Sequence, residues 1–481
     1  MDIWPVAFSL MASFMSAITL LGVSNENYQF GTQFVVINIS YGIATPIAVY
    51  WFLPIFYNLR ATSAYEYLEK RFGKYARLSA SLAYSLQMIL YMGIVLYAPA
   101  LAFESVIGVD KNVAIVIIGL TVIFYCCVGG IRAVLLTDVF QSFLMFAAIF
   151  LVIISGLIHA GGFTNIFKAA SEGGRLELWN FDPDPTVRHS WFTLTIGGMF
   201  TYLSLYAVNQ VQIQRLMTVK SLKSAQLALW WNWPILSALS FTTSFSGLVI
   251  YYFYQKCDPL LSGRITSRDQ NMAIYVMDAL GYIPGVAGLF VSGIFSASLS
   301  SVSSCLNSLA AVTMEDYIKP LYLFIMKKPL EMKPHRSAIP SKIIAAAYGV
   351  VCIGTAFLAQ HIGGILQVSL TIFGVVGGPL LALFTLGMST IEANENDCSQ
   401  FGLFNLTRSI PNPVIKSDED YFYLYKLSYL YSVVIGFFVT FIIGYSMSRL
   451  LKALNLSGTD EVHINGNNNL VNFDLSVLNV L

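Results

Sequence analysis

The stretch from Gly293 to Tyr317, GIFSASLSSVSSCLNSLAAVTMEDY, sets serines at 296, 298, 300, 301, 303, 304 and 308 into a run that is otherwise apolar enough for lipid. A hydroxyl without a partner is costly in hydrocarbon, so such residues face a cavity, a neighbouring helix or a ligand. Ser300 and Ser301 are adjacent, Ser303 and Ser304 follow about one turn on, and Ala297, one turn before, offers a backbone carbonyl. Neutral oxygens of this kind suit a hard, singly charged cation that must also leave, whereas a carboxylate cage would hold it too firmly. Sodium is the natural candidate. Close helix packing through small residues is the alternative, and the residues alone leave both open.

Three other polar segments interrupt apolar runs. Between Ser9 and Gly31, the small residues Ala12, Ser13, Ser16 and Ala17 are followed by Thr19 and Gly22. Such a helix can unwind and free carbonyls for a cation, or simply pack closely. Between Thr201 and Met217, Tyr202, Tyr206, Asn209 and Gln210 either line a solute path or form an interfacial belt. Asn38 and Tyr97, deep within apolar runs, are ambiguous in the same way. In GGIRAVLLTDVFQ, Gly129 to Gln141, Asp138 stands at a helix start, where it can cap the helix or draw a departing cation.

The elements that must carry these residues follow from composition. Of 481 residues, 56% are hydrophobic and 11% charged, against about 25% charged in soluble domains. This marks a polytopic, all-α membrane protein in contact with the lipid bilayer. A formal charge of +1 gives no field that would attract nucleic acid. The six cysteines and five histidines show no ligand spacing and are read as packing and isolated residues. The N-terminal apolar segment lacks a basic flank and is read as a span rather than a cleaved signal.

A helix needs about 20 apolar residues to cross the hydrocarbon core. Eleven segments qualify, at roughly 4–23, 33–56, 80–106, 113–129, 138–158, 191–210, 230–254, 286–313, 342–360, 364–388 and 428–450. The runs are continuous rather than alternating, which excludes a β-barrel. Fifteen basic residues against seven in the loops up to the ninth span put the start of the chain in the cytoplasm. The expected organisation is a transmembrane core over 1–388, a polar loop at 389–427, a further helix at 428–450 and a disordered tail at 451–481.

Taken together these pieces resemble the sodium/solute symporter family. GGIRAVLLTDVFQ and SASLSSVSSCLNSLAAVTMEDY resemble its signature segments, and QFGTQF, TSAYEYLEKRF, YMGIVLYAPALA, YAVNQVQIQRLM and IFGVVGGPLLALFTLGM are similar to its animal branch of multivitamin, monocarboxylate and iodide symporters. The resemblance implies a five-plus-five inverted-repeat fold with a broken first core helix and sodium as the coupling ion. The implied sodium ligands are the carbonyls of Ala12, Met15 and Ala297 and the hydroxyls of Ser300 and Ser301. It further implies a second sodium or the substrate near Ser16, Thr19 and Tyr97, a substrate cavity lined by Phe14, Asn38, Tyr202 and Phe384, and an inner sodium exit at Asp138.

Two departures from the family pattern are expected: no extra helix ahead of the first core span, and loss of the last core helix, since polar STIEANENDCSQFG follows LFTLGM directly. With that loss the 389–427 loop, with its sequon at Asn405, would face the cytoplasm. The implied function is symport of a small organic anion, a vitamin of the biotin or pantothenate kind first, then a lactate-like monocarboxylate or iodide, at the plasma membrane. A non-transporting receptor or truncated regulatory form is the alternative of another class. An enzyme is not expected, because no nucleophile and base meet within the spans.

Overall fold

The computed structural model describes residues 1–60, 62–129, 131–328, 334–390 and 427–453. Asn405, most of the 389–427 loop and the tail beyond 453 lie outside the described residues.

The chain begins with a helix broken where serine chemistry competes with helix bonding. Helix α1, Ile3–Phe14, and helix α2, Thr19–Phe30, meet at a bend of 67°. Ser16 turns its N–H to the Phe14 carbonyl at 2.9 Å and accepts the Ile18 N–H on its own hydroxyl at 3.2 Å. It thereby ends one helix and caps the next, as short hydroxyl side chains do. Gly31, at φ +86°, turns the chain at the end of α2, and a side chain there would strike the Arg175 carbonyl.

Four continuous helices follow: α3, Thr32–Leu59; α4, Lys74–Ile107; α5, Lys111–Val128; and α6, Ala133–Ala160. Asp110 starts α5 by accepting the Asn112 and Val113 N–H groups. A second interrupted helix comes next, as α7, Gly198–Tyr206, and α8, Gln210–Leu216. Then come α9, Leu222–Tyr254; α10, Val286–Met326; α11, Ile339–Ala359; α12, Ile365–Ser389; and α13, Tyr431–Arg449.

Among the described residues nine helices are long and apolar enough to cross a membrane, ten with the bent α1–α2 pair. The α7–α8 segment is too interrupted to count by length. One expectation is corrected here. The broken α1–α2 and α7–α8 each open a set of five passes, and the second set closes with α12, so the last core helix is present before residue 390.

The serine-rich α10 packs between α6 and α4 and touches α1. Its serines are largely used as ties: Ser298 donates to the Val95 carbonyl of α4 at 2.8 Å, and Ser308 pairs with the Tyr84 hydroxyl. Helices α1, α6, α8 and α10 thus converge on one buried polar centre.

Candidate functional site

At that centre the break in α1 releases backbone oxygens. The Ala12 carbonyl would bond the Ser16 N–H in an unbroken helix; instead it accepts the Ser301 hydroxyl at 3.3 Å. Ala12, Ala297, Ser300 and Ser301 have no exposed surface, and Met15 is buried beside them. Ser300 donates to Asp138 Oδ1 at 2.7 Å. The five residues expected to hold sodium therefore lie where α1 meets α10, with oxygen from both helices. Among the described residues there is no cluster of three His, Cys, Asp or Glu side chains.

Immediately beside this group sits a buried ion pair that loop-charge reasoning missed. Arg215, counted as an ordinary basic loop residue, is turned inward by α8 and is 3% exposed. Its Nη2 lies 3.2 Å from Asp138 Oδ2, and it also donates to Ser304. Its Nε donates to Ser9 Oγ at 2.8 Å, while Ser9 donates to Asp138 at 2.5 Å. Every oxygen of Asp138 is thus engaged, as a buried carboxylate requires. The signal that could have found Arg215 is its place in QVQIQRL, where Gln212 also reaches inward to the Leu10 carbonyl at 3.0 Å.

Above the break lies a cavity of about 80 Å³ lined mainly by aromatic rings and hydroxyls. Ser16, Thr19, Phe14 and Tyr202 line it. Tyr97 does not; it sits higher on α4, near Glu104 and Asp269. Tyr91 takes the place beside Ser16, with its hydroxyl 3.4 Å from the Phe14 carbonyl. Nor does Phe384 line the cavity, for it packs in an aromatic cluster with Phe56, Tyr65 and Tyr67. Phe373 on the same helix faces the cavity instead, in contact with Phe14 and Tyr91. Asn38 lies behind the wall and donates to the lining residue Ser240 at 3.0 Å.

At the opposite end of the core, a loop carboxylate pins two helices. Asp269 accepts the Ile365 N–H at the start of α12 at 3.2 Å and the Asn25 amide of α2 at 3.3 Å. Burial pushes its carboxyl up to about 6, against the pull of those donors.

Comparison with known proteins shows what the chain is similar to. The sodium:solute symporter family profile matches residues 1–397. A putative sodium-dependent multivitamin transporter of Drosophila melanogaster is 50% identical over 99% of this chain and 84% of its own length. The human sodium-coupled monocarboxylate transporter 1 is 45% identical over 81% of this chain, which spans 63% of that relative. Among solved structures, a substrate-bound, outward-open Na+-coupled sialic acid symporter superposes with a TM-score of 0.78 at 25% identity, covering 94% of this chain and 90% of its own.

Proposed function

We propose that this chain, which belongs to the sodium:solute symporter family, couples sodium entry to uptake of a small organic anion across the plasma membrane. The observation that carries the reading is the pairing of a freed Ala12 carbonyl with the Ser301 hydroxyl next to Ser300. Sodium is the cation those neutral oxygens suit, together with the carbonyls of Met15 and Ala297. Asp138 and Arg215 lie on the side away from the cavity, where they form the sodium's way out to the cytoplasm.

The cavity supplies the solute site. Its lining residues include neither Lys, Arg nor His, so an anion entering it needs a counter-charge, and a sodium ion at the α1 break is at hand to give it. Ser16 and Thr19, on the α2 side of the break and in the cavity wall, serve a second sodium or the solute itself. A vitamin carboxylate such as biotin or pantothenate is the first candidate and a lactate-like monocarboxylate the second, in line with the printed names of the fly and human relatives.

Energetics favours more than one sodium per anion. One sodium moving down about 70 mV and a tenfold gradient releases about 3 kcal/mol, enough for about hundredfold accumulation of a neutral solute. A monovalent anion carried with one sodium moves no net charge and gains only the gradient.

The test is uptake of labelled biotin, pantothenate, lactate and iodide by cells expressing the chain, in sodium against choline, normalised to surface-labelled protein. Sodium-dependent uptake of one carboxylate is expected. Good surface expression with no uptake of any of the four would overturn the reading in favour of a non-transporting form.

A further inference from the structure

With no basic side chain in the cavity wall, an anion there needs hydrogen-bond donors besides the sodium ion. The hydroxyls of the wall are the groups that can supply them, and most are already engaged. Tyr91 donates to the Phe14 carbonyl at 3.4 Å and Ser369 to the Leu366 carbonyl at 2.8 Å. Tyr202 is paired with Thr45 Oγ1 at 3.1 Å. Ser16 and Ser240, 1% and 3% exposed, accept the Ile18 N–H and the Asn38 amide. The Tyr206 hydroxyl is closed off within the wall.

Thr19 and Tyr41 remain. Both line the cavity and keep part of their surface open. Neither hydroxyl has a hydrogen-bond partner among the described residues, and neither is closed off as that of Tyr206 is. Thr19 belongs to the group at the break of α1, whereas Tyr41 comes from α3. Its ring packs on that of Tyr202 with centroids 5.3 Å apart, and its backbone carbonyl accepts the Thr45 hydroxyl at 2.7 Å. Ring and backbone are thus fixed while the hydroxyl ties nothing together. A phenol held in this way is a preset donor, with a proton to give and little side-chain freedom left to lose.

We infer that Tyr41 is a specificity-determining residue whose hydroxyl donates to the substrate's carboxylate. The inference rests on the anion-symport reading and names how that site recognises its anion. A hydrogen bond to a charged group is worth about tenfold to hundredfold in affinity. Tyr41→Phe removes that donor, keeps the ring against Tyr202 and leaves no protein group without a partner.

The experiment is uptake kinetics of labelled biotin, pantothenate and lactate in cells expressing the full chain as wild type, Tyr41→Phe and Ser369→Ala, each normalised to surface-labelled protein. For the carboxylate that the wild type takes up, Tyr41→Phe should raise KM by about tenfold or more. Surface level and the sodium half-saturation at saturating carboxylate should stay as in wild type. Ser369→Ala should raise KM far less, because the Ser369 proton is already given to the Leu366 carbonyl. With purified protein in sodium, the rise in melting temperature produced by the same carboxylate should shrink in Tyr41→Phe, which reads the lost contact without transport. An unchanged KM and an unchanged carboxylate-induced shift in Tyr41→Phe, or an equal rise of KM in Ser369→Ala, would overturn the inference while wild-type uptake leaves the symport reading standing. A wild-type chain that takes up no carboxylate would overturn both.

Discussion

The two broken helices, α1–α2 and α7–α8, each open one half of the fold and are tied into it by different groups. At the first break Ser16 satisfies the chain on its own side only, and the Ala12 carbonyl is left to a hydroxyl from another helix. At the second, Asn209 caps α8 by accepting the Val211 N–H at 2.9 Å. Gln210 then ties it to the Ala64 N–H and the Thr62 carbonyl. The first break leaves a carbonyl to a hydroxyl from another helix, and the second is held by side chains of its own Asn209 and Gln210, the latter reaching the 62–64 segment.

The difference can be broken most forcefully at the ion pair that joins the two breaks. Asp138→Ala leaves Arg215 buried and unpaired, which costs about 3–5 kcal/mol. Surface expression should fall steeply, and pairing the change with Arg215→Leu should restore part of it, as read by surface labelling. Next comes the double change Ser300→Ala with Ser301→Ala, which should raise the sodium half-saturation of uptake at least tenfold, read on the protein that reaches the surface. Asn209→Ala acts on the other break. Loss of that cap costs about 0.5–2 kcal/mol, so the melting temperature should drop by a few degrees while the sodium half-saturation does not move. The contrast between those two sodium responses is the comparison in measurable form.

The smallest effect concerns the far end of α2. Asp269 holds its proton up to about pH 6 in the arrangement described here but to about 3.9 when freed into water. The pinned arrangement binds the proton more tightly, so its advantage is fully present below about pH 3.9 and is lost as pH rises through 6. Acid therefore holds Asn25 and Ile365 together. Uptake limited by their separation should slow between pH 7.5 and 5.5, and Asp269→Asn should flatten that profile.

Much of this was legible in the sequence, and the misses have geometric causes. Hydroxyls in an apolar run flagged Ser300 and Ser301, and small residues flagged the break after Ala12, because lipid penalises both unless they are used. Arg215 was missed despite its place in QVQIQRL, since a basic residue near the end of a span looks like loop charge until α8 folds it back. Tyr91 lines the cavity and Tyr97 does not; six residues along a helix is about 9 Å of rise and about 240° of rotation, which aims the two in different directions. Phe384 shares its helix face with Phe373, eleven residues away, but lies about 16 Å along the axis. Periodicity gives the face of a helix and not the height at which it is needed. The last core helix was misjudged by counting spans from a family pattern rather than from the two breaks that open each half.

The most direct test of the central claim is thermal unfolding of purified protein in sodium chloride against choline chloride, for wild type and for the Ser300→Ala, Ser301→Ala double variant. Sodium should raise the melting temperature of the wild type in a concentration-dependent way and leave the double variant unmoved. Equal sodium stabilisation of both proteins would contradict a site built from the first break and these two hydroxyls.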